Sequence, residues 1–367
     1  LPPYSNIRAG DAHGDIVVWP LKALCDYIEA TGDLAILDVR LPWRRDEDLK
    51  PTEEQGTIRA HVELLLATVR QRFIPGTHLI RYGEGDWNDS LQPADPHLRD
   101  WMVSSWTVAL LYEQVSRYAA ILERAGDPAE AAALASLAGV MRGDVNHYLI
   151  RDGVIAGYGL FDPGHDRAEL LLHPTDRRTG LSYSLIPMTQ AILGGLFTAA
   201  QTRSHLELIR EHLLDPDGAR LMDKPVAYHG GVETLFRRAE SAAFFGREIG
   251  LMYVHAHLRY GEALAVSGDV EAARAALALA NPITVTERLP HASLRQRNTY
   301  FSSSDAAFRD RYHASAEWSR VREGSIAVDG GWRTYSSGPG LYTQIFVRRI
   351  LGMRREFGVR VETTGAA

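Results

Sequence analysis

A succession of amphipathic helical segments, joined by alternately short and long connections and lacking any fixed repeat, most constrains this fold. Val17, Leu21, Leu24, Tyr27 and Ile28 keep helical spacing over 16–31, and Gly32 is placed to stop that helix. Ile58, Val62, Leu65, Leu66 and Val69 mark a second helix over 53–72. A long apolar helix is predicted through Trp101, Val103, Trp106, Val108, Leu111 and Tyr112 toward Gly126, and Asp127-Pro128 starts another that reaches Tyr148. Further helices are predicted over 186–201, 204–214, 249–266, 269–280 and 341–355, with short strands near 154–160 and a β-like tail at 359–361, giving nine or ten helices. Paired helices of this kind fit an α/α toroid or an open solenoid. A solenoid repeats in sequence and this chain does not, so the expectation is an all-α toroid whose long polar loops gather on one face around a pocket.

Composition narrows the function classes. The 367 residues are 45% hydrophobic, enough for a large core. Their 40 basic and 46 acidic residues are spread along the chain, which argues against nucleic acid or another extended polyanion as partner. The one cysteine, Cys25, sits among Leu21, Ala23 and Leu24 and reads as a core residue. No apolar run approaches the roughly 18 residues of a membrane span. Leu1-Pro2-Pro3-Tyr4 is neither a start methionine nor a signal peptide, so the expectation is a chain that begins inside a longer protein.

Two polar stretches carry chemistry. The segment 82–93, Tyr-Gly-Glu-Gly-Asp-Trp-Asn-Asp-Ser-Leu-Gln-Pro, combines carboxylates, an amide and an indole without hydrophobic period. An indole covers the apolar face of a sugar while carboxylates and amides bind its hydroxyls. A turn in which Asp86 or Asp89 bonds its own backbone explains the same residues, and both readings stand at this point. Ser336-Ser337-Gly338-Pro339-Gly340 precedes the last predicted helix, with Pro339 suited to its first position, so hydroxyls and free N–H groups there can converge on an anion.

Gly85-Asp86-Trp87-Asn88-Asp89 resembles the signature of glycoside hydrolase family 94, the inverting β-glucoside phosphorylases. Residues 12–20 with Thr31-Gly32-Asp33, 247–256, 280–283 and 330–338 are similar to further segments of that family in the same order. The resemblance implies an (α/α)6 barrel over 1–357 lacking its first helices, with 358–367 as a tail or the start of a C-terminal β-domain. It implies Asp89 as the general acid, with a pKa raised by burial and by Asp86 or Glu84. Trp87, Arg8 and Asp15 are then sugar contacts, Glu248 binds sugar hydroxyls and Arg247 reaches the leaving sugar. His255, Ser336 and Ser337 bind inorganic phosphate, although the family pattern has threonine then glycine at the two serines. Outside that resemblance Trp87 reads as a core anchor, Arg8 and Asp15 as a surface ion pair or helix cap, and His255 as a satisfied core or surface histidine.

The implied reaction is phosphorolysis of β-linked gluco-oligosaccharides, with residues 89–96 and 298–305 closest to the branch acting on β-1,2-linked glucans. No cofactor or metal is implied, since phosphate is a co-substrate and His257 points away from His255. The expected partners are oligosaccharide and phosphate, in a cytoplasmic protein that is a homodimer at full length and needs its N-terminal portion. An inverting hydrolase stays open if Glu233, Glu240 or Glu317 supplies a second carboxylate, as does a non-catalytic carbohydrate-binding domain.

Overall fold

The computed structural model describes residues 13–88, 91–163, 167–228, 232–241, 252–294, 303–330 and 337–362. Nine helices of nine or more residues stand among the described residues: α1 Trp19–Thr31, α2 Ile58–Gln71, α3 Ser105–Arg124, α4 Pro128–Asp144, α5 Leu185–Leu193, α6 Ala199–Leu208, α7 Val254–Val266, α8 Val270–Leu279 and α9 Ser337–Ile345. α1, α3, α5, α7 and α9 pack each on the next in an inner arc, while α4, α6 and α8 back α3, α5 and α7. This alternation is that of an α/α toroid.

Local chemistry sets the helix ends. Side chains of Thr57, Ser104, Asp127, Thr198 and Asp269 accept a backbone N–H at the heads of α2, α3, α4, α6 and α8, each cap contributing about 1 kcal/mol. α2 buries one stripe, Val62, Leu66 and Val69, because only one side meets the core. α3 is buried almost all round, since α1, α5 and α4 flank it. Cys25 lies in the core, where burial pushes its thiol up to about 12.

Several element boundaries differ from the sequence reading. Residues 53–57 belong to the strand Pro51–Thr57, which pairs with Arg40–Arg44, so α2 begins only at Ile58. Met102–Ser104 is a strand beside Tyr158–Leu160, and α3 starts after it. The helix expected to reach 201 stops at Leu193, because Gly195 adopts φ 66°. The last helix runs from Ser337 and ends in a π-helical turn, Phe346–Ile350, rather than at 355. Gly352, at φ 68°, turns the chain into an antiparallel hairpin of Met353–Glu356 and Val359–Glu362.

Two small sheets aim the inner helices. Met102–Ser104 runs directly into α3, and Met252–Tyr253, paired with Ser303–Ala306, runs directly into α7. At the far end, the C-terminal hairpin closes against α1: the Phe357 N–H donates to the Glu29 carbonyl at 2.6 Å, and Arg124 lies over the Phe357 ring at 3.9 Å. A cavity of about 480 Å3 lies between α1 and the turn after α9, lined by Asp26, Glu29, Ala30, Val347 and Arg348 among others.

Gly32 ends α1 at φ 76°, and a Cβ there would lie 2.5 Å from the Phe357 carbonyl oxygen. Gly32→Ala is therefore expected to destabilise the fold by about 1–3 kcal/mol. Urea unfolding checks this through a lowered midpoint with an unchanged slope.

Candidate functional site

The site begins where the chain entering α1 is fastened to the polar loop. The Gly14 N–H donates to the carbonyls of Tyr82 and Gly85, both at 2.9 Å, and His13 bridges to Gly83. A Cβ on Gly14 would sit 2.7 Å from the Arg81 and Tyr82 carbonyl oxygens, so only glycine allows this approach.

Asp86 holds the loop from within. Its buried carboxylate accepts the Asn88 N–H at 2.8 Å, the Ser104 hydroxyl at 2.6 Å and the Thr107 hydroxyl at 3.2 Å. The bond to Asn88 is the local turn foreseen for this residue, and the other two attach the loop to the head of α3. Burial, with the nearby charge of Asp15, pushes the Asp86 carboxyl up to about 6 although these donors favour its ionised form.

Aromatic rings converge beside it. The Trp87 ring lies 6.1 Å from Trp106, 5.5 Å from Tyr253 and 5.2 Å from His255, and Trp19 lies 6.2 Å from Trp106. Asp15, almost fully buried, accepts the Trp19 indole N–H at 2.9 Å. The first turns of α1, α3 and α7 therefore meet around Trp87, which both packs on the core and faces a cavity of about 280 Å3.

Among the described residues that cavity is lined by inner helices, Trp87 and the π-helical turn after α9. Spacings of three and four along each helix keep the lining residues on one face, as with Trp19, Lys22, Asp26 and Glu29 on α1. Among the described residues five basic and four acidic side chains reach it: Lys22, Arg117, Arg259, Arg348 and Arg349 against Asp26, Glu29, Glu113 and Glu262. Arg117 pairs with Asp26 and Glu29 at 2.7 Å, Gln190 donates to Glu113 at 2.6 Å, and Glu262 takes Arg259 at 2.7 Å and Arg349 at 3.2 Å. His255 has no hydrogen-bond partner among the described residues. Burial first, then the positive charge of Arg259, lowers its pKa to about 4, so its ring is neutral at pH 7.

The structure brings Asp15, Trp87 and His255 together. Ser337 opens α9, which packs against α7, and this makes Pro339 the third helical residue rather than the first. Arg8, Asp89, Arg247, Glu248 and Ser336 lie outside the described residues, so the pKa expected for Asp89 does too. Glu84 pairs with Arg99 in a separate pocket beside Arg72 and Arg81, so it is engaged away from this cavity. Of the candidate second carboxylates, Glu240 accepts the N–H groups of Thr234, Leu235 and Phe236, and Glu317 pairs with His313 and Arg320 at the surface. None of Glu233, Glu240 and Glu317 lines the cavity. His257 is a buried brace, with Nε2 donating to the Ala276 carbonyl at 2.8 Å and Nδ1 accepting the Ala219 N–H at 3.0 Å. Sequence reasoning missed Trp19, Trp106 and the ion pairs of the cavity; the available signal was charge recurring at three- and four-residue intervals within apolar helices.

No group of His, Cys, Asp and Glu among the described residues is placed to hold a metal ion, and no described helix is long and apolar enough to cross a membrane.

Comparison with known proteins places these features in a family context. Residues 2–321 match the catalytic domain of the glycosyl hydrolase 94 superfamily. A 1,2-beta-oligoglucan phosphorylase of Listeria innocua serovar 6a is 49% identical over 354 residues, which is 96% of this chain and 32% of the relative. The chain thus spans about a third of the length of that curated relative. Among solved structures, a GH78 family rhamnosidase of Bacillus sp. GL1 aligns with 92% of this chain and 27% of its own at 14% identity and a TM-score of 0.51, a likeness of fold alone. An unsaturated glucuronyl hydrolase from the same source aligns with 82% of this chain and 71% of its own at 12% identity and a TM-score of 0.44.

The raised carboxyl of Asp86 has a pH signature. The folded chain holds this proton more tightly than the unfolded chain, whose value is near 3.8, so the stability due to protonation is present at low pH and lost as pH rises through about 4 to 6. The unfolding free energy of the wild type minus that of Asp86→Asn is expected to fall by up to about 3 kcal/mol over this range. Urea titrations at several pH values measure it, and a flat difference contradicts the assignment.

Proposed function

Because the chain belongs to the glycosyl hydrolase 94 superfamily and carries its catalytic domain, we propose that it is the catalytic part of an inverting phosphorylase. Its proposed substrates are phosphate and β-linked gluco-oligosaccharides, and its products are α-glucose 1-phosphate and a shortened chain. The 49% identity to a 1,2-beta-oligoglucan phosphorylase supports β-1,2-linked glucan as the substrate class.

One observation carries this reading over the hydrolase. Every carboxylate lining the cavity among the described residues has a basic or amide partner, while the neutral His255 faces the cavity with no hydrogen-bond partner among those residues. An inverting hydrolase needs a carboxylate base to activate water across the sugar. Phosphate is already an anionic nucleophile and needs donors instead. In the proposed mechanism Asp89 gives its proton to the glycosidic oxygen while phosphate attacks the anomeric carbon from the opposite face. Trp87, Asp15, Arg8 and Glu248 hold the reacting sugar and Arg247 the leaving one. His255, Ser336 and Ser337 hold phosphate, with the head of α9 favouring its negative charge.

A further part of the proposal is that the barrel of residues 1–357 gains its sixth inner place from a helix pair outside this chain, beside the cavity between α1 and the turn after α9. A homodimeric full-length protein acting in the cytoplasm, where a sugar phosphate is retained, completes the proposal.

The test is product analysis with the full-length protein and β-1,2-gluco-oligosaccharides, with and without phosphate. Glucose 1-phosphate is expected only when phosphate is present, and sugar release without phosphate points to a hydrolase. Asp89→Asn is expected to lower kcat by about 10²–10⁴-fold while oligosaccharide binding, measured by calorimetry, persists. A wild type that binds but turns over neither way is a carbohydrate-binding domain.

A further inference from the structure

α7 and α9 carry the groups assigned above to phosphate, and one buried side chain joins these helices at their other end. His255 is the second residue of α7, and Ser337 is the first of α9. Seven residues along α7 from His255, about 10 Å at the helical rise, Glu262 is only 3% exposed. Its Oε2 accepts Arg259 Nη1 at 2.7 Å, and its Oε1 accepts Arg349 Nη2 at 3.2 Å and Nε at 3.3 Å. Arg349 belongs to the π-helical turn that continues α9.

We propose that Glu262 is a positioning residue for phosphate: through Arg349 it fixes the axial register of α9 on α7, and so the placement of the head of α9 relative to His255. The proposal rests on the phosphorylase reading. Its physical basis is the contrast between two kinds of contact. α9 also meets the core through Leu341 and Ile345, but apolar packing is non-directional and tolerates small slides along the axis. A fork of guanidinium donors on one carboxylate does not. Glu262 also neutralises Arg259, which lies one turn below His255 and lines the same cavity. Removing the carboxylate charge leaves two arginines facing each other, a repulsion that shifts the end of α9.

The experiment uses the full-length enzyme with phosphate and oligosaccharide varied independently, for wild type, Glu262→Gln and Arg349→Lys. Glu262→Gln keeps shape and loses charge; Arg349→Lys keeps charge and loses the fork. Both are expected to raise the KM for phosphate by roughly 10-fold or more, as for supporting groups around a bound ion, with the oligosaccharide KM within about twofold. Should Glu262→Gln not fold, Arg349→Lys gives the same readout. A phosphate KM unchanged in the folded variants, or both KM values rising together, overturns the positioning role while phosphate-dependent wild-type turnover upholds the phosphorylase reading. Wild-type turnover indifferent to phosphate overturns that reading and this proposal with it.

Discussion

The buried carboxylate of Asp86 is the interaction on which the arrangement of the mouth depends. It accepts one backbone N–H from its own loop and two hydroxyls from the head of α3, so the loop and the inner arc become one object. Burying a carboxyl is costly, and three donors recover only part of that cost, as its raised pKa records. The gain is position. Trp87 is the next residue, and its ring can meet Trp106, Tyr253 and His255 only because the loop is tied there.

Below the mouth the inner helices break the rule that cores are apolar. Outward they pack through Leu, Val, Ile and Ala, while along the axis they present Lys22, Asp26, Glu29, Glu113, Arg117, Arg259 and Glu262. Such groups are affordable only in pairs, and some of the pairs join different elements: Arg117 of α3 reaches Glu29 of α1, and Arg349 beyond α9 reaches Glu262 of α7. Directional bonds between helices that apolar packing alone would let slide hold the arc in register, which suits a site assembled from several helix heads.

This electrostatic arrangement also shapes what the cavity can do. Among the described residues its carboxylates are committed to arginine, lysine or amide partners, and His255 is kept neutral by burial and by Arg259. A neutral imidazole donates one hydrogen bond and carries no charge to neutralise, so attraction for an anion falls to the slight excess of basic groups and to the helix heads.

The sequence by itself determined the helices, their pairing and the family, because helical period, caps and stop signals act over a few residues and the motifs occur in order. It also placed Asp15, Trp87 and His255 in one site through the family resemblance. Tertiary structure decided what local signals cannot carry. The strands Met102–Ser104 and Met252–Tyr253 read as helix because their apolar residues continue the adjacent helical runs, and only pairing with distant strands made them extended. The role of Asp86 needed Ser104 and Thr107, 18 and 21 residues away, and the ion pair of Arg117 with Glu29 spans 88 residues. Those contacts exist only once the helices close around a common axis, since a buried charge finds its partner across space rather than along the chain.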